Sequence, residues 1–285
     1  TMDERKINWF LILFAIIGIP ILYYLSENSW MLRGMLLNSA LGGILNQPPK
    51  VAYDLNIRLE NHMISRMKTY EAQGIKKTLK DVEFYKGKLD IKNPIKETML
   101  EYILEDDEQR LIVFKDQGII KYNRLTHKDT NINTKIPKEK AIESVMEFIE
   151  TLNLTCNHQK SIVEDIPNQR MYHIRFINTL EGILNYSYCT KANINYSGEI
   201  LDLECYQLIY KARQTVPVKS IKQAYDELIK IPIDGENLEI DIKQAELVYT
   251  LNPENENILV EPAYRFFGEI GGGGTFEYFI PAVDR

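Results

Sequence analysis

The hydrophobic pattern of this chain begins with one long uncharged stretch, residues 7–26 (INWFLILFAIIGIPILYYLS). About 20 apolar residues in a helix span the hydrocarbon core of a bilayer, and membrane helices tolerate a proline such as Pro20. Trp9 lies at one end and Tyr23 and Tyr24 lie at the other, where amphipathic rings favour the membrane interface. The pattern therefore predicts an N-terminal transmembrane helix.

Two alternatives for this stretch are a cleaved signal peptide and a buried core helix. A signal peptide has a shorter apolar run followed by a small-residue cleavage site, and YYLSENSW offers no such site. Arg5 and Lys6 precede the run, only Arg33 follows it closely, and positive residues favour the cytoplasmic side. We expect a single-pass protein of the cell membrane with a cytoplasmic N-terminus and an extracellular C-terminal domain.

Small side chains inside this stretch predict helix recognition in addition to anchoring. In lipid, apolar burial no longer drives helices together, so small residues and shape must do so. Ala15 and Gly18 permit close approach of another helix, and the alternative is a generic anchor. The predicted membrane-helix contact consists of Trp9, Ala15, Gly18, Pro20, Tyr23 and Tyr24.

Residues 30–46 (WMLRGMLLNSALGGILN) form a second apolar stretch, which carries Arg33 and is short for a membrane span. We interpret it as a helical stalk or an interfacial segment. The alternative is a helix that continues into the first domain. NQPPK, at 46–50, marks the end of the stalk.

Beyond residue 50 the pattern changes to the short elements of a folded domain. Within residues 59–74, Met63, Met67 and Tyr70 recur at helical spacing and Gly74 suits a C-terminal cap, which predicts a helix. Apolar runs separated by polar turns then predict a strand meander at 82–91, 99–104, 110–114 and 119–125.

Two more units each open with a proline-led helix and continue as strands. One helix is predicted within 135–152 with Pro137 at its start, and the other within 215–231 with Pro217 in the same place. Strands are predicted after them at 161–166, 170–177, 188–210, 238–251, 258–269 and 275–283. The repeated plan predicts an α+β fold in which helices pack on antiparallel sheets after the transmembrane helix.

The stretch FFGEIGGGGTFEYF, at 266–279, contains four consecutive glycines and raises the question of a phosphate-binding loop. A P-loop needs a lysine and a helix after the glycines, whereas Gly271 to Gly274 is followed by Thr275 with no lysine nearby. The aromatic flanks are typical of strands. The glycine run therefore predicts a hairpin loop and not a nucleotide site.

Three cysteines, Cys156, Cys189 and Cys205, leave at least one thiol unpaired. Cys189 and Cys205 flank a hairpin whose turn is predicted at Ser197 and Gly198. The apolar residues are even-numbered on the first strand and odd-numbered on the second. When these apolar faces are matched, the odd-numbered Cys189 and Cys205 point to opposite faces of the sheet. This register disfavours a disulfide between them.

Composition excludes some functions without identifying a chemical site. The chain has 285 residues and a net charge of −6, which disfavours nucleic acid as a partner because phosphate binding needs a basic surface. Lysines and arginines look evenly spread. The histidines, at 62, 127, 158 and 173, lack metal-ligand spacing, and no GxSxG motif frames a serine nucleophile. His173 alternates with Tyr172, Ile174 and Phe176, which predicts that it lies on the polar face of a strand. We expect no catalytic residue, metal or cofactor.

The segments GILNYSYCTKANINYSGEILDLECY (182–206) and ILVEPAYRF (258–266), with MDERKINWFLIL leading into one apolar span, resemble the YycI and YycH family. The resemblance is closer to YycI. Members of this family regulate the WalK (YycG) sensor histidine kinase, which controls cell-wall metabolism in low-GC Gram-positive bacteria. The resemblance implies sheet units of the PepSY-like type and no catalytic residues to carry over.

The function that the resemblance implies is that of a membrane-anchored accessory protein, not an enzyme, which regulates a sensor histidine kinase. Its implied partners are the kinase, a YycH-like protein and the membrane, and an oligomer is left open. The implied division is 1–28 for the tip and membrane helix, 29–50 for the stalk, 51–135 for an α+β unit and 136–285 for two PepSY-like half-units. Three other classes stay open: an extracytoplasmic PepSY-like inhibitor of a peptidase, a ligand-binding sensor domain, and an enzyme with dispersed residues.

Overall fold

The computed structural model describes residues 51–57, 59, 65–126, 135–231, 238–251 and 259–284. Strands account for 55% of the structure and helices for 17%. The described part contains three α-helices: α1 (Leu79–Leu89), α2 (Lys138–Thr151) and α3 (Ile221–Leu228). Nearly all described residues belong to one unit, Tyr53–Pro232 with Glu239–Arg285.

The strands of the described residues form one sheet. Its longest path runs β11-β2-β13-β12-β9-β10-β6-β5-β4-β3, and off this path β7 pairs with β8, β8 with β9, β14 with β13 and β1 with β12. The strand bounds are β1 (Ala52–Leu55), β2 (Arg66–Gly74), β3 (Lys96–Glu97), β4 (Glu101–Glu105), β5 (Gln109–Phe114), β6 (Ile119–Arg124), β7 (Lys160–Ile166), β8 (Met171–Leu180), β9 (Ile183–Asn195), β10 (Ile200–Tyr206), β11 (Leu208–Pro217), β12 (Glu239–Leu251), β13 (Leu259–Ile270) and β14 (Thr275–Pro281). The sheet is mixed, because β12 meets β9 in parallel at Tyr249 opposite Asn185 while β8–β9 and β12–β13 are antiparallel.

Helices α1 and α2 cover one face of strands β4–β6 and β8–β10. Successive side chains of a strand point to opposite faces, so every second residue of these strands reaches the helices. The α2 residues that pack there, Ala141, Val145 and Ile149, are fully buried. They share this core with Val82, Leu104, Leu111, Val113, Ile120, Ile174, Ala192, Ile194, Leu203 and Cys205. The opposite face of the same strands carries polar side chains, as antiparallel sheets commonly do.

A second apolar cluster joins the C-terminal strands to β8 and β9. It contains Ile177, Tyr186 and Cys189 from β8 and β9, with Val248 from β12 and Ala263 from β13. This packing holds β14, which pairs along β13, beside the polar face of β8 and β9. A cleft therefore forms between β14 and that face.

The predicted α+β fold, helix-on-sheet units behind a transmembrane helix, is wrong. Strands that were assigned to different units pair with one another: β6 pairs with β10, and β2 pairs with both β11 and β13. The structure is one large mixed β-sheet with a small helical share. Periodicity shows which side of a strand is apolar, but it does not show which distant strand completes its hydrogen-bond ladder. The predicted boundaries at 28, 50 and 135 fall at or beside residues outside the described ones and stay predictions.

Two elements before residue 100 have the opposite type from the one predicted. The helix predicted at 59–74 is a strand over Arg66–Gly74, whose Met67 and Tyr70 are buried. The strand predicted at 82–91 is helix α1, which begins with a capping box: the Asp81 carboxylate accepts a hydrogen bond from the Thr78 backbone N–H at 2.7 Å, and the Thr78 side chain accepts from the Asp81 N–H. The missed signal was this Thr–x–x–Asp spacing.

The later elements agree better with the pattern. Helix α2 is confirmed, with Pro137 at its N-cap position. The third helix is shorter than predicted, because Pro217 ends β11 and the helix begins after Ser220. Strands β4 to β10 and β12 to β14 lie where apolar alternation predicted strands, and the hairpin connection after β9 places Gly198 at a φ of 91°.

Among the residues that the structure describes, no helix is both long and apolar enough to cross a bilayer. The three described helices have 11, 14 and 8 residues, whereas a span needs about 20. The predicted span, the stalk and the contact residues, Trp9, Ala15, Gly18, Pro20, Tyr23 and Tyr24, lie outside the described residues. We therefore correct two predictions, the transmembrane helix and the single-pass cell-membrane location. Both rest on hydropathy alone, and no described element supports either of them.

Candidate functional site

A continuous row of polar side chains crosses the face of the sheet that points away from α1 and α2. Strand register aligns them side by side across β7, β8, β9, β10, β6, β5 and β4, in the order Glu164, His173, Asn193, Asp202, Asn123, Arg110 and Glu105. Hydrogen bonds link neighbours: His173 Nδ1 lies 2.8 Å from Asn193 Oδ1, and Asn193 Nδ2 donates to Asp202 Oδ2 at 2.9 Å. The position predicted for His173, on the polar face of a strand, is confirmed.

The cleft lies at the β7 and β9 end of this polar face, with β14 as its second wall. Its volume is about 390 Å³, within the range of about 300–1,000 Å³ that is typical of small-molecule sites. The lining side chains are mostly charged or polar: Glu164, His173, Arg175, Tyr186, Ser187, Cys189, Lys191, Tyr206, Thr275 and Glu277. A small, polar ligand would fit such a lining better than an apolar one.

A buried arginine fixes the β14 wall of the cleft. Arg265 on β13 is only 2% exposed, and its Nε donates to Glu277 Oε1 at 2.7 Å while a terminal nitrogen donates to Glu246 Oε1 at 2.8 Å. Its guanidinium carbon lies 5.0 Å from the ring centre of Tyr186 and 4.7 Å from that of Phe267. Two carboxylates and two rings therefore surround the buried charge, as a buried cation requires.

Glu277 connects this buried network to the cleft. The guanidinium of Arg175, on β8, donates to both of its oxygens, at 3.1 and 3.4 Å. Burial alone would raise the pKa of Glu277, but the hydrogen bonds from Arg265 and Arg175 outweigh burial and hold the pKa below its usual value. The carboxylate thus stays charged and keeps β14 attached to β8.

Behind the cleft lies a small group of buried polar atoms without hydrogen-bond partners among the described residues. These atoms are Asn178 Oδ1, Asn185 Nδ2 and the Tyr210 hydroxyl. Burial raises the pKa of Tyr210, and the side chains of Ser187, Asn178 and Asn185 beside its hydroxyl oppose that rise. Ser187, which lines the cleft, donates from its hydroxyl to Asn185 Oδ1 at 2.6 Å. The cleft is thus backed by polar groups that retain hydrogen-bonding capacity.

The cysteines give no sign of a reactive thiol. All three are free, and Cys189 faces the cleft while Cys205 packs in the core under α2, so the predicted absence of a disulfide between them is confirmed. Burial raises the pKa of Cys189 to about 11 and that of Cys156 to about 12. Both thiols are therefore protonated near neutral pH, and a protonated thiol is a poor nucleophile.

The glycine run is a hairpin connection, as predicted. It joins β13 to β14, and Gly272, Gly273 and Gly274 have φ values of 94°, 102° and 132°. Only glycine adopts such angles at little cost. Thr275, directly after the run, lines the cleft, so the loop lies at its margin. No phosphate-binding helix follows, because β14 begins at that residue.

A second exposed feature, here called the α1 edge, surrounds the start of α1. Its apolar side chains are all exposed: Ile75, Leu79, Phe84, Met99 and Leu100. Backbone hydrogen bonds bring its parts together, from Lys77 N to Lys115 O at 2.8 Å and from Lys115 N to Leu100 O at 2.9 Å. Residues 75–97 contain seven lysines and four acidic residues. The α1 edge is therefore positively charged, although the whole chain has a net negative charge. The expectation that lysines and arginines are evenly spread along the chain is wrong at this place.

Sequence reasoning missed the residues that build the cleft. Arg265 and Glu277 each stand alone inside an aromatic strand, within AYRFF and FEYF. A single charge in the middle of a buried run is a signal of a paired or functional group, since an unpaired buried charge is costly. The pairing itself joins residues of β8, β12, β13 and β14, and nothing in the local pattern shows it.

Among the described residues, no group of three or more His, Cys, Asp or Glu side chains is arranged to hold a metal ion. A scan against protein-family models finds no family that matches the chain. A search of the curated proteins likewise finds no match. The resemblance to the YycI and YycH family stays a prediction that rests on the quoted segments.

Proposed function

We propose that this protein is a non-catalytic interaction protein that regulates a sensor histidine kinase of the WalK type, together with a YycH-like partner. The observation that carries the proposal is the α1 edge. There Met99 is 89% exposed and Leu100 is 65% exposed at the hairpin between β3 and β4. The identity of the kinase comes from the resemblance of the 182–206 and 258–266 segments.

Clustering distinguishes these apolar residues from ordinary surface residues. Single exposed apolar side chains are normal on any protein, whereas several together mark a contact with a partner. Leu79 and Phe84, on α1, are each 42% exposed and extend the same edge. A protein contact would bury this apolar centre within a charged rim, the usual anatomy of an interface.

The lysines supply the complementary charge for an acidic partner. Lys80 and Lys88 lie four residues on either side of Phe84 and so share its side of the helix, and the Lys88 ammonium lies 5.4 Å from the Phe84 ring centre. Charged rims speed association and orient the partner, with a strong dependence on salt. Regulation needs no chemistry at this surface, because a binding preference of about 1–3 kcal/mol for one kinase state shifts its activity.

The test is binding to a full-length sensor histidine kinase of the WalK type, reconstituted in lipid, with autophosphorylation as the functional readout. We expect Met99→Ser with Leu100→Ser to weaken binding by about tenfold or more, as loss of a buried apolar anchor does, and to remove the effect on autophosphorylation. Ile209→Ser on β11, where the wild-type side chain is 53% exposed, is the matched control and should bind normally.

Two results would contradict the proposal. One is a full effect of the double variant on the kinase, with unchanged affinity. The other is an equal loss of binding in the Ile209→Ser control, which would assign the effect to general surface hydrophobicity. Charge reversal by Lys80→Glu with Lys88→Glu should weaken binding most at low ionic strength, because salt screens exposed charges.

A further inference from the structure

We infer that Nε2 of His173 is a proton-binding site of the cleft, and that Asp202, acting through Asn193, determines that this ring nitrogen and not Nδ1 exchanges the proton. The inference stands apart from the proposed contact with a kinase. His173 on β8 stands opposite Asn193 on β9, which stands opposite Asp202 on β10. Two hydrogen bonds connect the three side chains, with lengths of 2.8 Å between His173 Nδ1 and Asn193 Oδ1 and 2.9 Å between Asn193 Nδ2 and Asp202 Oδ2.

Asp202 sets the orientation of the Asn193 side-chain amide. An ionised carboxylate only accepts hydrogen bonds, so the amide group that faces it must be the nitrogen, which donates. The reversed amide would place its oxygen against the carboxylate oxygen, where two acceptors meet without a proton between them and the hydrogen bond is lost. The amide oxygen of Asn193 therefore faces His173.

The orientation of the amide in turn sets the protonation of the imidazole ring. An amide oxygen only accepts, so Nδ1 of His173 must carry a hydrogen and donate it to Asn193. In a neutral imidazole one nitrogen carries the hydrogen and the other carries a lone pair, and the hydrogen bond of one nitrogen determines the state of the other. Nδ1 stays protonated in both the neutral and the charged ring, and Nε2 is the nitrogen that gains and loses a proton.

The proton-exchanging nitrogen belongs to the edge of the ring that is left for the cleft. His173 lines the cleft, whereas Asn193, to which Nδ1 is turned, lies outside its lining. Nε2 has no hydrogen bond to any residue that the structure describes. A neutral His173 therefore offers the cleft a nitrogen lone pair, which accepts a hydrogen bond or a proton.

Protonation of Nε2 changes the cleft without breaking the bond that holds the ring. Histidine is the residue type that usually changes its charge between about pH 5 and 8. The charged side chains around the ring are Glu164 on β7, Arg175 on β8, Lys191 on β9, Asp202 on β10 and Glu277 on β14. Glu164 stands directly opposite His173, and Arg175 is already paired with Glu277, so the added positive charge lies beside an acidic partner. We expect the cleft to accept a hydrogen bond at this point when the ring is neutral and to donate one when it is charged.

The test is nuclear magnetic resonance of the full-length chain labelled with nitrogen-15 at histidine, with His173→Gln to identify the His173 signals among the four histidines. Long-range proton–nitrogen correlation distinguishes a protonated ring nitrogen from an unprotonated one. With the ring neutral, we expect the Nδ1-protonated form to exceed the Nε2-protonated form by at least about tenfold, because the second form loses the hydrogen bond to Asn193. On acidification only the Nε2 signal should change to that of a protonated nitrogen.

Substitutions test the two positioning residues. Asp202→Ala frees the amide to turn and Asn193→Leu removes it, and each should reduce the excess of the Nδ1-protonated form to less than about threefold. Asp116→Ala is the matched control, since that side chain is 68% exposed and outside the cleft, and it should leave the ratio unchanged. Thermal melting checks that the variants fold.

Three results would overturn the inference. The first is a dominant Nε2-protonated form in the wild type, a measurement that decides even where a variant fails to fold. The second is an Nδ1 signal that changes on acidification from an unprotonated to a protonated nitrogen. The third is an unchanged ratio in folded Asp202→Ala, which would remove Asp202 from the role assigned to it. None of these outcomes depends on the kinase experiment.

Discussion

Arg265 donates from Nε to Oε1 of Glu277 at 2.7 Å, and this contact joins the buried interior of β13 to the wall of the cleft. The same carboxylate receives two hydrogen bonds from Arg175 on β8. One glutamate therefore connects the β13–β14 hairpin to β8, whose Arg175 lies 102 residues earlier in the sequence.

Replacing Arg265 tests how strongly the network holds the fold. We expect Arg265→Met to lower the free energy of unfolding by about 3–5 kcal/mol, because Glu246 and Glu277 are left close together without their buried cation. Arg213→Met is the control, since the Arg213 side chain is 57% exposed and its pair with Glu71 is worth at most about 1 kcal/mol. Urea unfolding followed by far-ultraviolet circular dichroism measures both. Equal losses in the two variants would contradict the assigned role.

Glu277 should make stability depend on acid pH. Its folded-state pKa is depressed below 4.5, so its stabilising contribution is complete above the unfolded-state pKa and is lost as the pH falls through the folded-state pKa. We therefore expect Glu277→Gln to be less stable than the wild type near pH 7, with a difference that shrinks below about pH 4.5. Denaturant titrations at several pH values measure it. A difference that stays constant down to pH 3 would show that the carboxylate charge is not the cause.

Two glycines should respond to alanine in opposite directions. Gly273 has a φ of 102° and no atom near its missing side chain, so Gly273→Ala should destabilise by about 1 kcal/mol through backbone strain alone. Gly87 lies inside α1, also with no neighbouring atom, and Gly87→Ala should stabilise by about 0.5–1 kcal/mol through helix propensity. Thermal or urea unfolding measures the change in stability of both variants. A loss of stability at both positions would point to packing that the structure does not contain.

Strand β2, at 66–74, and helix α2, at 138–151, show which elements the sequence pattern predicts correctly and which it does not. The α2 pattern predicts a helix correctly because its apolar face, Ala141, Val145 and Ile149, recurs within the helix itself. Met67 and Tyr70 have helical spacing too, yet Tyr70 packs its ring 5.4 Å from Tyr249, and β2 obtains its hydrogen bonds from β11. Tertiary pairing overrides a short local pattern of this kind.

For the candidate site too, the sequence predicts some features correctly and misses others. The pattern places His173 on a polar strand face and Gly271 to Gly274 in a hairpin, because alternation and turn chemistry act between near neighbours. It does not bring Arg175, Glu277 and Lys191 to one cleft. Those three side chains come from β8, β14 and β9, and each looks alone like an ordinary surface charge.

The sequence by itself determined the elements whose stabilising contacts lie within a few residues: helix α2, the strand alternation from β4 to β10, and the glycine hairpin. The tertiary structure alone decided which strands are neighbours, the strand conformation of Arg66–Gly74, and the joining of Arg265 to Glu246 and Glu277. The physical reason is that a strand obtains its hydrogen bonds, and a buried charge its partner, from residues distant in the chain, so neither is encoded in the local pattern.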